Sequence, residues 1–332
     1  MTGGAGYIGR HTCVELLNSG IEIVVIDNFS NSDISVIEQI KEITQKEFAV
    51  IEGNVEDRNL LSTIFDNHQF DGVIHLAGLK AVGESVQFPL KYYNNNIVST
   101  LVLCEVMNQY NCKKLVFSSS ATVYGNPQST PIKENSDIQS TNPYGRTKSM
   151  IENILYDLYE SDHEWSILLL RYFNPIGAHP SGLIGEDPKG VPNNLLPYIT
   201  KVALGELDSL KVYGRDYDTK DGTGIRDYIH VVDLSIGHVR ALEKVIDGCG
   251  VDAFNLGTGQ GYSVLEVINS FEKASGRKIK YKFVDRRAGD IAECFADTEK
   301  AKTYLGWESV RTIDEMCSDA WRYVVERERS NR

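Results

Sequence analysis

Three glycines near the start of the chain restrict its fold more than any other feature. Gly3, Gly6 and Gly9 form a G-x-x-G-x-x-G pattern, and residues 7–18 continue with helical periodicity. Glycines at this spacing allow a tight turn and let the backbone approach a pyrophosphate at a helix N-terminus. The pattern therefore predicts a loop and helix that bind a dinucleotide.

An acidic residue further along indicates which dinucleotide. Residues 22–26 have the pattern of a strand that ends at Asp27, about 20 residues beyond the loop. A carboxylate at this place binds the adenosine ribose, and its charge repels a 2′-phosphate. We therefore expect NAD as the cofactor, and not NADP.

The segment before the glycines is short, because only Met1 and Thr2 precede Gly3. A loop of this kind should follow a strand, and that strand is central in a doubly wound sheet. Its shortening would leave neighbouring strands with unpaired backbone groups. If the chain starts here, we expect weakened stability and loose cofactor binding.

Strands and helices alternate through the first half of the chain. Strands are predicted at 48–52, 72–76, 114–117 and 166–172, and helices at 34–44, 60–67, 89–110 and 143–159. The alternation is typical of an α/β protein with a doubly wound parallel sheet, here a Rossmann-type domain over residues 1–175. Later elements are shorter: a helix from Pro192, a strand at 211–213, and helices at 264–275 and 312–327. They predict a smaller α/β substrate-binding lobe over residues 176–332, with the chain crossing back to the first domain around 225–245.

Composition excludes several classes of protein. The net charge of −12 over 332 residues argues against binding to nucleic acid or to an anionic membrane. No apolar run approaches the roughly 20 residues of a membrane span, and no signal peptide opens the chain. The six cysteines are scattered, which favours free thiols in the cytoplasm and no metal site.

One helix start carries the candidate catalytic pair. Asn142 and Pro143 suit the N-cap and the first helical position, so Tyr144 and Lys148 should lie one turn apart on the same face. A phenol has a pKa near 10, and an adjacent ammonium would favour the phenolate that can accept a proton. On spacing alone, such a pair usually belongs to a solvated helix face.

Longer motifs resemble a known superfamily. Residues 3–9, residues 118–125 (Ser-Ser-Ser-Ala-Thr-Val-Tyr-Gly) and Tyr144-x-x-x-Lys148 resemble the extended short-chain dehydrogenases/reductases. Residues 77–85, 170–175 and 221–228 narrow the resemblance to its UDP-hexose 4-epimerase family, and the likeness runs from Thr2 to about Trp321. The resemblance implies NAD-dependent, reversible epimerisation of UDP-glucose and UDP-galactose at C4 through a 4-keto intermediate. It also implies a homodimer formed through the long helices.

The resemblance also implies roles for individual residues. Tyr144 would remove the proton from the sugar 4-hydroxyl while C4 gives a hydride to NAD. Lys148 would lower the Tyr144 pKa and hold the nicotinamide ribose, and Ser120 would bridge the sugar oxygen and the phenol. The other cofactor contacts would be Gly3, Gly6, Tyr7, Ile8, Gly9, Asp27, Asn28, Asn31, Ser32, Asn54, Val55, Leu76, Ala77, Gly78, Lys80, Asn95, Ser118, Tyr172 and Phe173. The other substrate contacts would be Lys80, Ala121, Thr122, Asn174, Asn193, Asn194, Leu195, Lys211, Val212, Tyr213, Arg226, Tyr228, Arg287, Asp290 and Cys294.

Three positions depart from the family pattern. Arg10 stands where Ser is common, and it could contact a phosphate or point to solvent. Asn54 replaces an Asp near the adenine, and its amide can still form a hydrogen bond. Cys294 replaces a bulky Tyr of some members, which leaves room at the sugar 2-position. Our hypothesis is that UDP-N-acetylglucosamine and UDP-N-acetylgalactosamine are also substrates, the alternative being a small residue without effect.

Three other functions are weighed against this one. A nucleotide-sugar 4,6-dehydratase needs an acid and a base where this chain has Ala121 and Thr122. An epimerase of another UDP-hexose, such as UDP-glucuronate, would need an extra cation facing C6, and the sequence offers none clearly. A catalytically weak NAD-binding protein is disfavoured because Tyr144, Lys148 and Ser120 are all present.

Overall fold

The structure, a computed structural model, describes residues 1–187, 194–287 and 290–330. Its helices are α1 Tyr7–Asn18, α2 Ser35–Thr44, α3 Arg58–Asn67, α4 Val82–Gln87, α5 Pro89–Tyr93, α6 Ser99–Gln109, α7 Pro143–Ser161, α8 Leu195–Leu204, α9 Val231–Asp247, α10 Val264–Ser275, α11 Glu299–Leu305 and α12 Ile313–Ser330. Its strands are β1 Val24–Asp27, β2 Ala49–Glu52, β3 Val73–His75, β4 Lys114–Ser120, β5 Ser166–Tyr172, β6 Asn174–Ile176, β7 Leu210–Tyr213, β8 Ile225–His230, β9 Val251–Leu256, β10 Gly261–Ser263, β11 Tyr281–Val284 and β12 Glu293–Cys294. Among the described residues, no helix has both the length and the apolar character that crossing a membrane requires.

The main sheet is parallel throughout. Strands β3, β4, β5 and β9 pair in that order, and β1 pairs with β2. Thr2 lies between these two groups and forms single bridges to Ile26 and His75. The expected unpaired backbone groups are partly satisfied there, because the Thr2 N–H donates to the Ile74 carbonyl at 3.0 Å and the Gly3 N–H to the Ile26 carbonyl at 2.9 Å. The predicted doubly wound α/β fold is confirmed.

Apolar side chains on both faces of the sheet explain why its central strands are buried. All seven residues of β5 are buried, as expected of a parallel strand covered on two sides. Residues of α3, α6 and α7 pack on one face, and residues of α1, α9 and α11 pack on the other. This packing fixes the carboxyl ends of the strands, where ligands bind in such folds.

The second lobe is built on short strands. Strand β8 pairs with β6 and β12 in parallel and with β10 in antiparallel orientation, and β7 pairs with β11. Helices α8, α10 and α12 bury apolar side chains against these strands. Strand β8 and its three neighbours bring several of the predicted substrate contacts together.

Two regions differ from the sequence-based expectations. The single helix predicted at 89–110 is interrupted by a π-helical turn at Asn94–Val98, a feature that is frequent at functional sites. Strand β8, helix α9 and strand β9 were not predicted as elements. Helix α9 begins with two valines and is capped by His230, so its start resembles a strand more than a helix. Strand β9 joins β5 and so returns the chain to the main sheet.

Candidate active site

The glycine loop leaves the N-terminus of α1 open. No side chain caps this helix at Gly6, so its first backbone N–H groups remain available to an anion. A Cβ atom at Gly9 would lie 2.1 Å from the Gly3 carbonyl oxygen, and Gly3 has a φ of +69°. A side chain at either position would collide with the backbone and change the shape of the loop. The residues present therefore fit a dinucleotide pyrophosphate.

Asp27 is held at the carboxyl end of β1 by two backbone amides. Its Oδ2 accepts from the Ala5 N–H and its Oδ1 from the Phe29 N–H, both at 2.9 Å. Each oxygen keeps a further lone pair that a ribose hydroxyl can use. The next predicted residues lie beside it, since the Asn28 side chain donates to the Asn54 Oδ1 at 2.7 Å.

Glu186 contacts several of the predicted residues, although no pattern in the sequence indicated a role for it. Its carboxylate lies 3.6 Å from the Lys80 ammonium and accepts from the Asn194 amide at 2.6 Å. Tyr7 lies close by, because the Lys80 ammonium is 5.8 Å from the centre of the Tyr7 ring. The Tyr7 hydroxyl donates to the Gly177 carbonyl at 2.8 Å. The Glu186 carboxylate is thus in contact with Lys80, a predicted cofactor and substrate contact, and with Asn194, a predicted substrate contact.

The π-helical turn places Asn96 beneath the loop that follows β3. Its Oδ1 accepts from the Leu79 N–H at 2.8 Å, and its Nδ2 donates to the Leu79 carbonyl and to Thr147 Oγ1, each at 3.0 Å. Asn96 therefore fixes the backbone beside Lys80 to helix α7. The predicted neighbour Asn95 instead places its Nδ2 3.4 Å from Glu56.

Helix α7 begins as predicted. The Asn142 side chain accepts from the Gly145 N–H at 2.9 Å, and Pro143 is the first helical residue. Tyr144 and Lys148 follow one turn apart. The Lys148 ammonium donates to the Ser118 carbonyl at 2.6 Å and lies 4.7 Å from the centre of the Phe117 ring.

The pKa shifts at this pair differ from the expectation. Burial raises the pKa of Tyr144, and a hydrogen bond with the Ser120 hydroxyl opposes this. Burial lowers the pKa of Lys148 to about 8, and the Glu152 carboxylate opposes this. Contrary to the expectation, the Tyr144 pKa lies above its ordinary value, because desolvation dominates and the Lys148 ammonium is directed at the Ser118 carbonyl.

A buried ion pair links helix α7 to strands β4 and β5. Arg171 of β5 donates to both carboxylate oxygens of Glu152, at 3.0 and 2.7 Å, and Ser119 donates to the same carboxylate at 2.5 Å. Both charged side chains are almost fully buried. This bidentate pair holds α7 against β4 and β5, and so fixes Tyr144 relative to Ser120.

The predicted substrate contacts lie mainly on β6, β7, β8 and β12 and at the start of α8. Arg226 forms an ion pair with Asp290 at 2.5 Å, and the Arg287 guanidinium lies 4.0 Å from the centre of the Tyr213 ring. Cys294 pairs with Arg226 in the β12–β8 ladder. Asn193 lies outside the described residues. The structure places the others at element ends or in the ladders: Asn174 and Tyr228 in the β6–β8 pair, Leu195 at the start of α8, and Lys211 and Val212 on β7.

The remaining cofactor and substrate candidates follow the strands of the main sheet. Ile8 lies in the first turn of α1, Asn31 and Ser32 follow β1, Val55 follows β2, Leu76, Ala77 and Gly78 follow β3, and Tyr172 and Phe173 stand at the end of β5. The Tyr172 hydroxyl is hydrogen-bonded to His238 Nε2. Ala121 and Thr122 form a short 3₁₀ turn after β4, and Thr122 Oγ1 donates to Ser120 at 2.9 Å. Neither provides the acid or base of a dehydratase.

Of the two orientations considered for Arg10 from the sequence, the structure excludes the one towards solvent, and a contact with phosphate stays a prediction. Its side chain is 5% exposed, so it does not point to solvent. Its Nε donates to the carbonyls of Ala5 and Gly6 at 3.1 and 3.2 Å, and its Nη1 to the carbonyl of Gly185 at 3.4 Å. The guanidinium thus lies on the carbonyl side of the glycine loop.

Known proteins resemble the chain over nearly its whole length. Residues 1–320 match the family model described as GDP-mannose 4,6 dehydratase. A protein of Bacillus subtilis named UDP-glucose 4-epimerase is 61% identical over 97% of this chain and 95% of its own length. The chain belongs to the UDP-glucose 4-epimerase family of the extended short-chain dehydrogenases/reductases.

Solved structures of this UDP-glucose 4-epimerase family share the fold. The Bifidobacterium longum enzyme, in complex with NAD+ and UDP, superposes with a TM-score of 0.95 at 53% identity and covers 98% of each chain. The Stenotrophomonas maltophila enzyme, with NAD and formylated UDP-arabinopyranose, has a TM-score of 0.97 at 46% identity, over 99% of this chain and 98% of its own. The family model carries the name of a dehydratase, whereas the relatives and solved structures described here are UDP-glucose 4-epimerases.

Proposed function

We propose that the protein catalyses the NAD-dependent, reversible interconversion of UDP-glucose and UDP-galactose at C4. The observation that carries this proposal is the meeting of Tyr144, Ser120 and Lys148 at the carboxyl end of β4, beside an open glycine loop with Asp27. Bound NAD+ would supply the hydride acceptor for C4 and a positive charge in the site.

The protein's own groups position the sugar and move the proton. Tyr144 accepts the proton of the 4-hydroxyl, and Ser120 hydrogen-bonds both the phenol and the sugar oxygen. Lys148 holds the nicotinamide ribose, and its position is fixed by the Ser118 carbonyl. Because burial raises the Tyr144 pKa, the residue is a neutral phenol before the cofactor binds. Return of hydrogen to the other face of the 4-keto sugar completes the inversion.

The second lobe holds the nucleotide. We assign Arg226 and Arg287 to the diphosphate, because guanidinium groups suit bidentate phosphate contacts. The Asp290 carboxylate accepts a hydrogen bond from a ribose hydroxyl. The strand with Lys211, Val212 and Tyr213 contacts the uracil. Asn174 and Asn194 donate to phosphate or sugar oxygens. The division into a 1–175 NAD-binding domain and a 176–332 substrate lobe stays a proposal, with the chain returning to the first domain at α9 and β9.

The direct test is turnover of UDP-galactose by the purified protein, followed as UDP-glucose by chromatography. Equilibration of the two sugars without added reductant supports the proposal. No conversion of UDP-galactose, with or without added NAD, contradicts it. Conversion of UDP-glucuronate in preference to UDP-galactose would favour the alternative hexose.

We propose a second pair of substrates from the environment of Cys294. Cys294 is partly buried and packs against the apolar cluster that contains Val123 and Phe173, and a thiol occupies much less space than a phenol. The space left near the sugar accepts an N-acetyl group at C2. UDP-N-acetylglucosamine and UDP-N-acetylgalactosamine are therefore proposed as additional substrates.

We also propose a cytoplasmic homodimer. Apolar side chains of the α5–α6 and α7 helices are exposed, including Leu90 at 81%, Leu101 at 39% and Met150 at 44%. Pairing of these helices between two copies would cover them. All six cysteines, which lie in the described part of the chain, are unpaired, and this suits a reducing compartment.

A further inference from the structure

We infer that Arg10 is a cofactor-retention residue, whose guanidinium is the counter-charge to the dinucleotide pyrophosphate on the other side of the glycine loop. The inference rests on the proposed NAD-dependent function. It concerns a residue that replaces the Ser common at this position, and so it distinguishes this chain from relatives with Ser.

The hydrogen bonds of Arg10 give the loop its polarity. The guanidinium accepts no bonds and donates to the carbonyls of Ala5 and Gly6. Carbonyls directed at a cation leave the amides of the loop and of the α1 N-terminus on the opposite side, where an anion is stabilised. Arg10 therefore orients the same dipoles that bind the pyrophosphate.

The partners of Arg10 in the described part of the chain are carbonyl oxygens. Among the described residues, no carboxylate lies within the 4.0 Å of a salt bridge to this guanidinium. Burial lowers the Arg10 pKa, and Tyr323, Asp187 and Asp27 oppose this from beyond ion-pair distance. A buried cation that is not ion-paired is costly, and a bound pyrophosphate would add negative charge that offsets this cost. Binding of the dinucleotide would thus offset the cost of burying the Arg10 charge.

Arg10 also connects the loop to the segment that carries Glu186. Its Nη1 donates to the Gly185 carbonyl, and Gly185 is packed so closely on α12 that a Cβ would lie 2.4 Å from the Tyr323 ring. Glu186 in turn holds Lys80 and Asn194. The short side chain of Ser could supply neither this reach nor the charge.

The test compares two substitutions that separate charge from hydrogen bonding. Arg10→Gln keeps an amide donor for the loop and loses the charge, while Arg10→Lys keeps the charge. Arg240→Gln is the control, since Arg240 is half exposed on α9 and its loss changes the net charge equally. Equilibrium binding of NAD, of ADP-ribose and of adenosine is measured on nucleotide-free full-length protein, together with its melting temperature.

We expect Arg10→Gln to weaken the binding of NAD and of ADP-ribose by about tenfold or more and to leave the binding of adenosine unchanged. Only the first two ligands carry the pyrophosphate. Arg10→Lys should stay within about threefold of wild type, and Arg240→Gln should have no effect. Equal weakening of all three ligands, or no weakening, overturns the inference. If Arg10→Gln does not fold, loss of ADP-ribose binding by more than tenfold in Arg10→Lys overturns the inference, and binding near the wild-type level supports it.

Failure of the wild-type protein to bind NAD contradicts the proposed function itself. Unchanged NAD binding by Arg10→Gln contradicts only the role of Arg10.

Discussion

The Lys148 ammonium lies 6.0 Å from the centre of the Tyr144 ring, while it donates to the Ser118 carbonyl at 2.6 Å. The lysine is thus oriented by the end of β4 rather than by the phenol. Burial raises the Tyr144 pKa, and the hydrogen bond with Ser120 opposes this. We therefore expect activation of Tyr144 to depend on the bound cofactor as well as on Lys148.

Lys148→Met should stabilise the cofactor-free protein while abolishing activity. The Lys148 pKa is about 8 in the folded state and 10.5 in its ordinary state, so the unfolded chain binds more protons between these values. The cost of burying the charge is full below pH 8 and fades as pH rises towards 10.5. We expect a gain of about 1–2 kcal/mol at pH 7 in urea unfolding, which shrinks by pH 9.5. An equal difference at both pH values would refute the assignment.

Glu152→Gln should destabilise the protein strongly. The substitution leaves Arg171 buried without its carboxylate and weakens the bond from Ser119. Removing one partner of a buried ion pair costs about 3–5 kcal/mol. Urea unfolding should show this loss, and the exposed Glu243→Gln on α9 should change stability by less than about 0.5 kcal/mol. Similar effects of the two substitutions would mean that the buried pair contributes little.

Asp27→Asn should reduce the preference for NAD over NADP. The amide keeps one acceptor for the Ala5 or Phe29 N–H and removes the charge that repels a 2′-phosphate. We expect NAD affinity to fall by about tenfold and the ratio of NAD to NADP affinity to fall further. Asp57→Asn is the matched control, since Asp57 caps α3 and Asn is an equally good cap. An unchanged ratio in Asp27→Asn would show that another group selects the cofactor.

Cys294→Tyr should separate the two sugar pairs. The phenol would fill space next to the apolar cluster that contains Phe173, so activity on UDP-N-acetylgalactosamine should fall by on the order of tenfold or more relative to UDP-galactose. Cys294→Ser, which keeps the size of the side chain, should retain both activities. The ratio of kcat/KM values for the two substrates is the measurement. Equal ratios in wild type and Cys294→Tyr would remove Cys294 from the account of specificity.

Local patterns in the sequence predicted those parts of the site that depend on local structure. The bounds of α1, the cap at Asn142 and the place of Asp27 all follow from spacing within one element and its neighbours. Contacts between distant segments could not be derived in this way. Glu186 gains its importance only where Lys80 and Asn194 meet it.

The same limit explains the other differences. The π-helical turn at Asn94–Val98 has the same hydrophobic pattern as a regular helix, and tertiary contacts of Asn96 decide its shape. Burial of Arg10 depends on the Gly185 carbonyl, far away in the chain. The upward shift of the Tyr144 pKa likewise reflects desolvation, which no spacing of residues reveals.

The most direct test of the account is the rate of C4 inversion of UDP-galactose by Tyr144→Phe. This variant keeps the ring and loses only the hydroxyl that exchanges the proton, so its melting temperature and NAD content should match those of wild type. We expect kcat to fall by about a thousandfold or more. Inversion by Tyr144→Phe at the wild-type rate would contradict the central claim that this phenol is the catalytic base.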